Sequence, residues 1–188
     1  MELTKDLCRV LVSADDLHRR VSEIAATITA RLADDGTQGF VAVCVTNGAI
    51  VFAADLLRQI PVSAAIDCVR VSAVTPGPNG PARPVVDNTL QWDVSGRTVV
   101  IVDDVLNTGT TLRLIQSALS PRQPARVLTT VLLRKPGGRG VPIDPDLVGF
   151  DIPDDFVVGY GLDFAERYRN LPCIGTLKPT CQNPPVWQ

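Results

Sequence analysis

The stretch TVVIVDDVLNTGTTL, residues 98–112, narrows the folds open to this chain more than any other. Residues 98–102 are all β-branched and leave no polar position to face water, so they require a strand covered on both faces. Asp103 and Asp104 stand where that strand should end. Residues 107–111, NTGTT, then bring small and hydroxyl-bearing side chains just before LRLIQSAL, whose apolar residues recur at helical spacing. A buried strand that turns at once into a helix is the unit of a parallel α/β sheet.

The rest of the chain repeats that unit. SADDLHRRVSEIAATITARLADDG predicts an amphipathic helix capped by Ser13, with Leu17, Val21, Ile24, Ile28 and Leu32 on one face. Residues 39–46, 64–73, 125–135 and 146–152 predict further strands, and 50–60 a second helix. Alternating elements imply right-handed crossovers and a mostly parallel sheet flanked by helices. One domain is expected over residues 1–188, with its core at about 10–150. Residues 73–92 include Pro76, Pro78, Pro81 and Pro84, a composition that predicts a flexible lid. Residues 151–180 read as short elements with aromatic side chains, a small hood over one end of the sheet. The strand ends TNGA, DDVLNTGTT and RKPGG fall at one edge, and ligands of such sheets bind beyond the carboxyl ends of the strands. One cleft is expected there.

Composition removes several classes. A net charge of -2 over 188 residues offers no electrostatic case for nucleic acid. No apolar run approaches a membrane span, so no membrane partner and a cytoplasmic setting are expected. Five widely spaced cysteines without a CxxC pair read as thiols of a reducing compartment. His18 is alone, which rules out a multi-histidine metal site.

The loop itself describes a ligand. Free amides at a helix N-terminus and the helix dipole attract phosphate, and Gly109 lets the backbone curl around the anion. Thr108, Thr110 and Thr111 add hydroxyl donors. Asp103 and Asp104, several residues away, suit ribose hydroxyls or a hydrated Mg²⁺. A phosphate with a ribose nearby fits the whole.

This stretch resembles the phosphoribosyl-pyrophosphate (PRPP) motif of type I phosphoribosyltransferases. Residues 148–179, VGFDIPDDFVVGYGLDFAERYRNLPCIGTLKP, are similar to the C-terminal segment of the hypoxanthine-guanine branch of that family. The resemblance covers residues 10–179 and implies the type I fold with its C-terminal hood. It implies that Asp103 and Asp104 hold the ribose hydroxyls and the metal side of PRPP, and that residues 107–111 hold the 5′-phosphate. Lys135 would donate to the exocyclic oxygen of a 6-oxopurine, Phe156 would stack on the base and the Val157 backbone would read its edge. Asp163 would bind Mg²⁺, while Asn47, Gly48 and Arg169 would meet the pyrophosphate. A homodimer or homotetramer is implied as well.

Three positions depart from the pattern. Asn107 stands where the family carries an aspartate acting at purine N7, and an amide cannot take up a proton at neutral pH. Asn47 replaces a lysine, and Ala73 with Val74 replaces the Ser-Tyr pair that begins the lid. Two functions therefore remain open at this point. One is a purine salvage transferase with reduced activity, making IMP or GMP from hypoxanthine or guanine. The other is a catalytically impaired purine-nucleotide-binding protein, acting as a sensor or partner subunit.

Overall fold

The β-branched run at 98–102 forms the middle of a six-stranded sheet, with Val99, Val100, Ile101 and Val102 wholly buried. The computed structural model describes residues 2–74, 83–86, 90–136 and 143–181. Its strands are β1 (Leu7–Val12), β2 (Gly39–Thr46), β3 (Ser63–Val74), β4 (Arg83–Val86), β5 (Thr98–Leu106), β6 (Arg126–Arg134), β7 (Leu147–Asp151), β8 (Val157–Val158) and β9 (Ile174–Leu177). Helices are α1 (Ala14–Asp34), α2 (Ile50–Leu57) and α3 (Thr110–Leu119).

The large sheet runs β4-β3-β2-β5-β6-β7 and is parallel except where β4 meets β3. Chain order reverses between β2 and β5, and at such a reversal the connections leave in opposite directions and open a crevice. Alternation along β5 divides the core. Val100 and Val102 pack with Leu17, Ile24, Ile28 and Phe52 of α1 and α2, whereas Val99 and Ile101 pack with Leu112, Ile115 and Leu119 of α3. Each such side chain withdrawn from water contributes about 1.5–3 kcal/mol.

Helix α1 starts as expected, with Ser13 Oγ accepting from the Asp16 amide at 3.1 Å. From its flank Arg20 donates to the carbonyls of Gly149 (3.0 Å) and Val148 (2.7 Å). The guanidinium thereby satisfies acceptors of the edge strand β7 that would otherwise invite another chain. Helix α3 begins two residues before the apolar period suggested, because Gly109 supplies a left-handed N-cap at φ 75°.

Two expectations change. Residues 83–86, expected inside a flexible lid, pair with 71–74 as an antiparallel edge, since an open β3 would leave its ladder groups unpaired. The remaining lid residues, 75–82 and 87–89, lie outside the described residues. The hood, expected from residues 151–180, also takes in the N-terminal strand: β1, β9 and β8 form a separate antiparallel sheet. Leu7, Val158, Tyr168, Leu171 and Leu177 make its core, and Tyr168 Oη reaches Asp6 at 3.0 Å.

The segment at residues 91–92 is anchored on Asp67, a buried carboxylate of β3. Its oxygens accept from the amides of Cys68 (3.0 Å), Gln91 (2.6 Å) and Trp92 (3.2 Å). Asp67→Ala leaves those amides without their acceptor, and each lost partner costs about 1–3 kcal/mol. The variant is expected to unfold at least ~2 kcal/mol more easily in urea, with an unchanged far-ultraviolet dichroism spectrum.

Candidate active site

At the reversal point β2 ends in Thr46, and the next peptide, Thr46–Asn47, is cis. Gly48 follows, packed so closely on Asp104 that a Cβ there would overlap the Asp104 carboxylate. The hood closes on the same spot. Gly161, at φ 101°, lies against the Gly48 carbonyl with no room for a side chain. Its own amide and carbonyl are both held by Arg169, through the backbone carbonyl and Nη1, each at 2.8 Å.

These elements enclose a cleft of about 360 Å³. Its lining comes from Thr46, Asn47 and Gly48 at the end of β2, Arg70 and Val71 of β3, Asp104 and Val105 of β5, and Lys135 just past β6. The hood contributes Phe156, Val157, Leu162, Asp163, Glu166 and Arg169. Strand pleat explains part of this. Thr46, Arg70 and Asp104 share the parity of Ala42, Ala64 and Val102, so they project to the α1–α2 face, where the hood sits.

Most residues singled out from sequence converge here: Asn47, Gly48, Asp104, Lys135, Phe156, Val157, Asp163 and Arg169. Asp103 does not. It points the other way along the pleat, is 3% exposed, and accepts from the Asp104 amide at 3.0 Å. Residues 107–111 lead from β5 into α3 and do not line the cleft, with Asn107 and Thr108 exposed and Gly109 buried. Thr108 and Thr110 hydroxyls are 3.0 Å apart there. Six lining residues were not singled out from the sequence: Thr46, Arg70, Val71, Val105, Leu162 and Glu166. Arg70 had a usable signal, its place at the carboxyl end of a strand; Glu166 had none, because a positive-φ turn at Ala165 and Glu166 brings it in.

Side chains in the cleft are held in pairs. Arg169 bridges Asp163 (2.9 Å) and Glu166 (2.8 Å), and Asp163 also accepts the Glu166 amide at 2.9 Å. Lys135 Nζ stands 3.4 Å from Asp154. Phe156 is 59% exposed, an unusual state for so large an apolar surface, and is propped edge-on by Phe164 at 5.4 Å between ring centroids. An open aromatic face and a half-buried ammonium in one cleft suit a planar, hydrogen-bonding ligand.

Burial pushes the Asp103 carboxyl well above the usual carboxylate range, and the charge of Asp104 pushes it further. Burial raises Asp104 too, against hydrogen bonds from Asp103 and the Val105 amide and the nearby charge of Arg169.

The comparisons agree with this geometry. A family model described as phosphoribosyl transferase domain matches residues 13–165. The chain belongs to the phosphoribosyl transferase family. A hypoxanthine-guanine phosphoribosyltransferase of Mycobacterium avium is 39% identical over 93% of this chain and 87% of its own. The protein of the same name from Bacillus subtilis is 37% identical over 93% and 95%. A hypoxanthine phosphoribosyltransferase from Staphylococcus aureus superposes with a TM-score of 0.87 at 35% identity, covering 98% of both chains. The expected type I phosphoribosyltransferase fold and the resemblance to the hypoxanthine-guanine branch therefore stand. This phosphoribosyl transferase has no described helix long and apolar enough to cross a membrane, and its cysteines are free thiols.

Asp103 gives this transferase a testable cost. A folded-state carboxyl raised above its unfolded value binds its proton more tightly in the native state, so stability falls as pH rises past the ordinary carboxylate range. Asp103→Asn keeps an oxygen acceptor for the Asp104 amide and removes the titration. Its melting temperature is expected to exceed that of the wild type by a few degrees at pH 8, the advantage shrinking toward pH 4. A constant difference across that range would place the effect elsewhere.

Proposed function

We propose that the chain transfers 5-phosphoribosyl from PRPP to a 6-oxopurine, hypoxanthine or guanine, giving IMP or GMP and pyrophosphate in purine salvage. The observation that carries this reading is the cleft that joins an open aromatic face, Phe156, with Lys135 and the carboxylate Asp104, whose strand leads directly into the helix-terminal loop at 107–111. The base stacks on Phe156 while Lys135 donates to its exocyclic oxygen and the Val157 backbone reads its edge. The 5′-phosphate takes the amides at the start of α3 and the hydroxyls of Thr108, Thr110 and Thr111. Asp104 takes the ribose hydroxyls, with Asp103 beneath it as a positioning group.

Mg²⁺ commonly binds through one or two carboxylates together with substrate phosphates and water. Asp163 and Asp104, both lining the cleft, offer that set, with Asp103 behind them. When bound, the ion neutralises charge growing on the departing pyrophosphate. The protein's own residues do the rest. Arg169 fixes Asp163 and orients it, and the hood excludes water from the reacting carbon. The bond from the ribose carbon to pyrophosphate breaks, the bond to the purine nitrogen forms, and a purine proton must leave. A homodimer or homotetramer in the cytoplasm completes the proposal.

Asn107 favours a second reading beside the first, a nucleotide-binding protein with slowed turnover. The side chain is exposed at the head of the phosphate loop, where its amide can hydrogen-bond N7 but cannot accept a proton. GMP and IMP are expected to bind saturably in isothermal titration, and Thr111→Glu to weaken them strongly by setting a carboxylate against the phosphate. Absence of binding by either nucleotide would sink both readings. Asn107→Asp should raise kcat with hypoxanthine or guanine by up to the ~10²–10⁴ of a general acid or base, with nucleotide affinity little changed. A wild type that already turns over at that higher rate, with no gain from the aspartate, would remove N7 chemistry from this position.

A further inference from the structure

Most of the positive charge lining the cleft is already committed to carboxylates. Among the described residues three carboxylates line it, Asp104, Asp163 and Glu166, against three cations, Arg70, Lys135 and Arg169. Two of those cations are committed. Arg169 is shared between Asp163 and Glu166, and Lys135 is paired with Asp154 at the base end. Arg70 is different: among the described residues its side chain has no ion pair or hydrogen bond. Without it the cleft would carry an excess of negative charge.

Position adds direction to that charge. In the parallel β2–β3 ladder Arg70 pairs with Thr46, so it stands beside the Thr46–Asn47–Gly48 turn, on the same face as Asp104. The neighbouring Asn47 is neutral and exposed. With the base at Phe156 and the 5′-phosphate at residues 107–111, the pyrophosphate of PRPP is left the side of the cleft bounded by this turn, Arg169 and Arg70. A guanidinium is always charged and presents paired donors that match phosphate oxygens.

We propose that Arg70 binds the pyrophosphate, both as the leaving end of PRPP and as free product, and is the cation that makes this end of the cleft attractive to a polyanion. The inference rests on the reading of function above and adds a residue to it. The test is titration calorimetry with inorganic pyrophosphate and Mg²⁺, run beside GMP, on the wild type, Arg70→Gln and the double variant Arg70→Gln with Asn47→Lys. Loss of one charge-assisted contact corresponds to roughly 10- to 100-fold in affinity. Arg70→Gln should lose that much for pyrophosphate and raise the KM for PRPP, while GMP binds as before. A lysine at position 47 returns a cation to the same turn and should recover at least part of the loss, which a merely structural role for Arg70 would not allow. Unchanged pyrophosphate affinity in Arg70→Gln, an equal loss for GMP, or no recovery in the double variant would each overturn the assignment. A wild type that binds GMP but not pyrophosphate would overturn it too, leaving the nucleotide site intact. A wild type that binds both yet transfers nothing counts against the proposed reaction and not against Arg70.

Discussion

Contact between two glycines joins the hood to the sheet. Gly48 lies on Asp104 and Gly161 lies on Gly48, each without room for a Cβ, so the end of β2, the end of β5 and the hood meet within one backbone thickness. Everything that lines the cleft depends on that approach. Asp163, Glu166 and Arg169 are carried by the same turn-rich segment as Gly161, and Arg169 ties its own backbone and side chain to that glycine. Phe156 and Val157 enter through the adjoining strand β8. A side chain at Gly161 would push the hood off the Gly48 carbonyl, and one at Gly48 would displace the Asp104 carboxylate.

Closeness has an electrostatic consequence. Three carboxylates are brought to a small space, and burial alone raises both Asp103 and Asp104. Such an arrangement works against stability, which is common where a site must hold charge ready for a ligand. Arg169 offsets two of the carboxylates and leaves little positive charge for a polyanion. Arg70, which has no ion pair among the described residues, is then the cation of the cleft left for an anion.

Much of the fold was legible because its signals are local. An unbroken β-branched run at 98–102 states its own burial, and the spacing of Leu17, Val21, Ile24 and Ile28 states the face of α1. The turn at 107–111 was legible through Gly109 and its hydroxyl-bearing side chains, and the helix does begin there. Illegible features were those that need two distant segments. Strand β1 joins β9 across almost the whole chain, and Asp67 anchors Gln91 and Trp92 from a strand that precedes the expected lid. No periodicity within a short window records such partners.

By itself, then, and apart from β1, β4, β8 and β9, the sequence determined which segments are strands and helices, that β3, β2, β5, β6 and β7 run parallel, and that a glycine-bearing, hydroxyl-rich turn leads from β5 into α3. Those properties follow from side-chain period and backbone freedom, which neighbouring residues settle among themselves. Only the tertiary structure decided which charges face one another. Asp103 and Asp104 are neighbours in sequence, yet the pleat buries one and turns the other into the cleft. Nothing in the sequence around Arg70 or Arg169 states its charged partners; strand register leaves the first beside Thr46 with no ion pair among the described residues, while a positive-φ turn gives the second two carboxylates. Electrostatic role depends on distance through space, and distance through space is what folding sets.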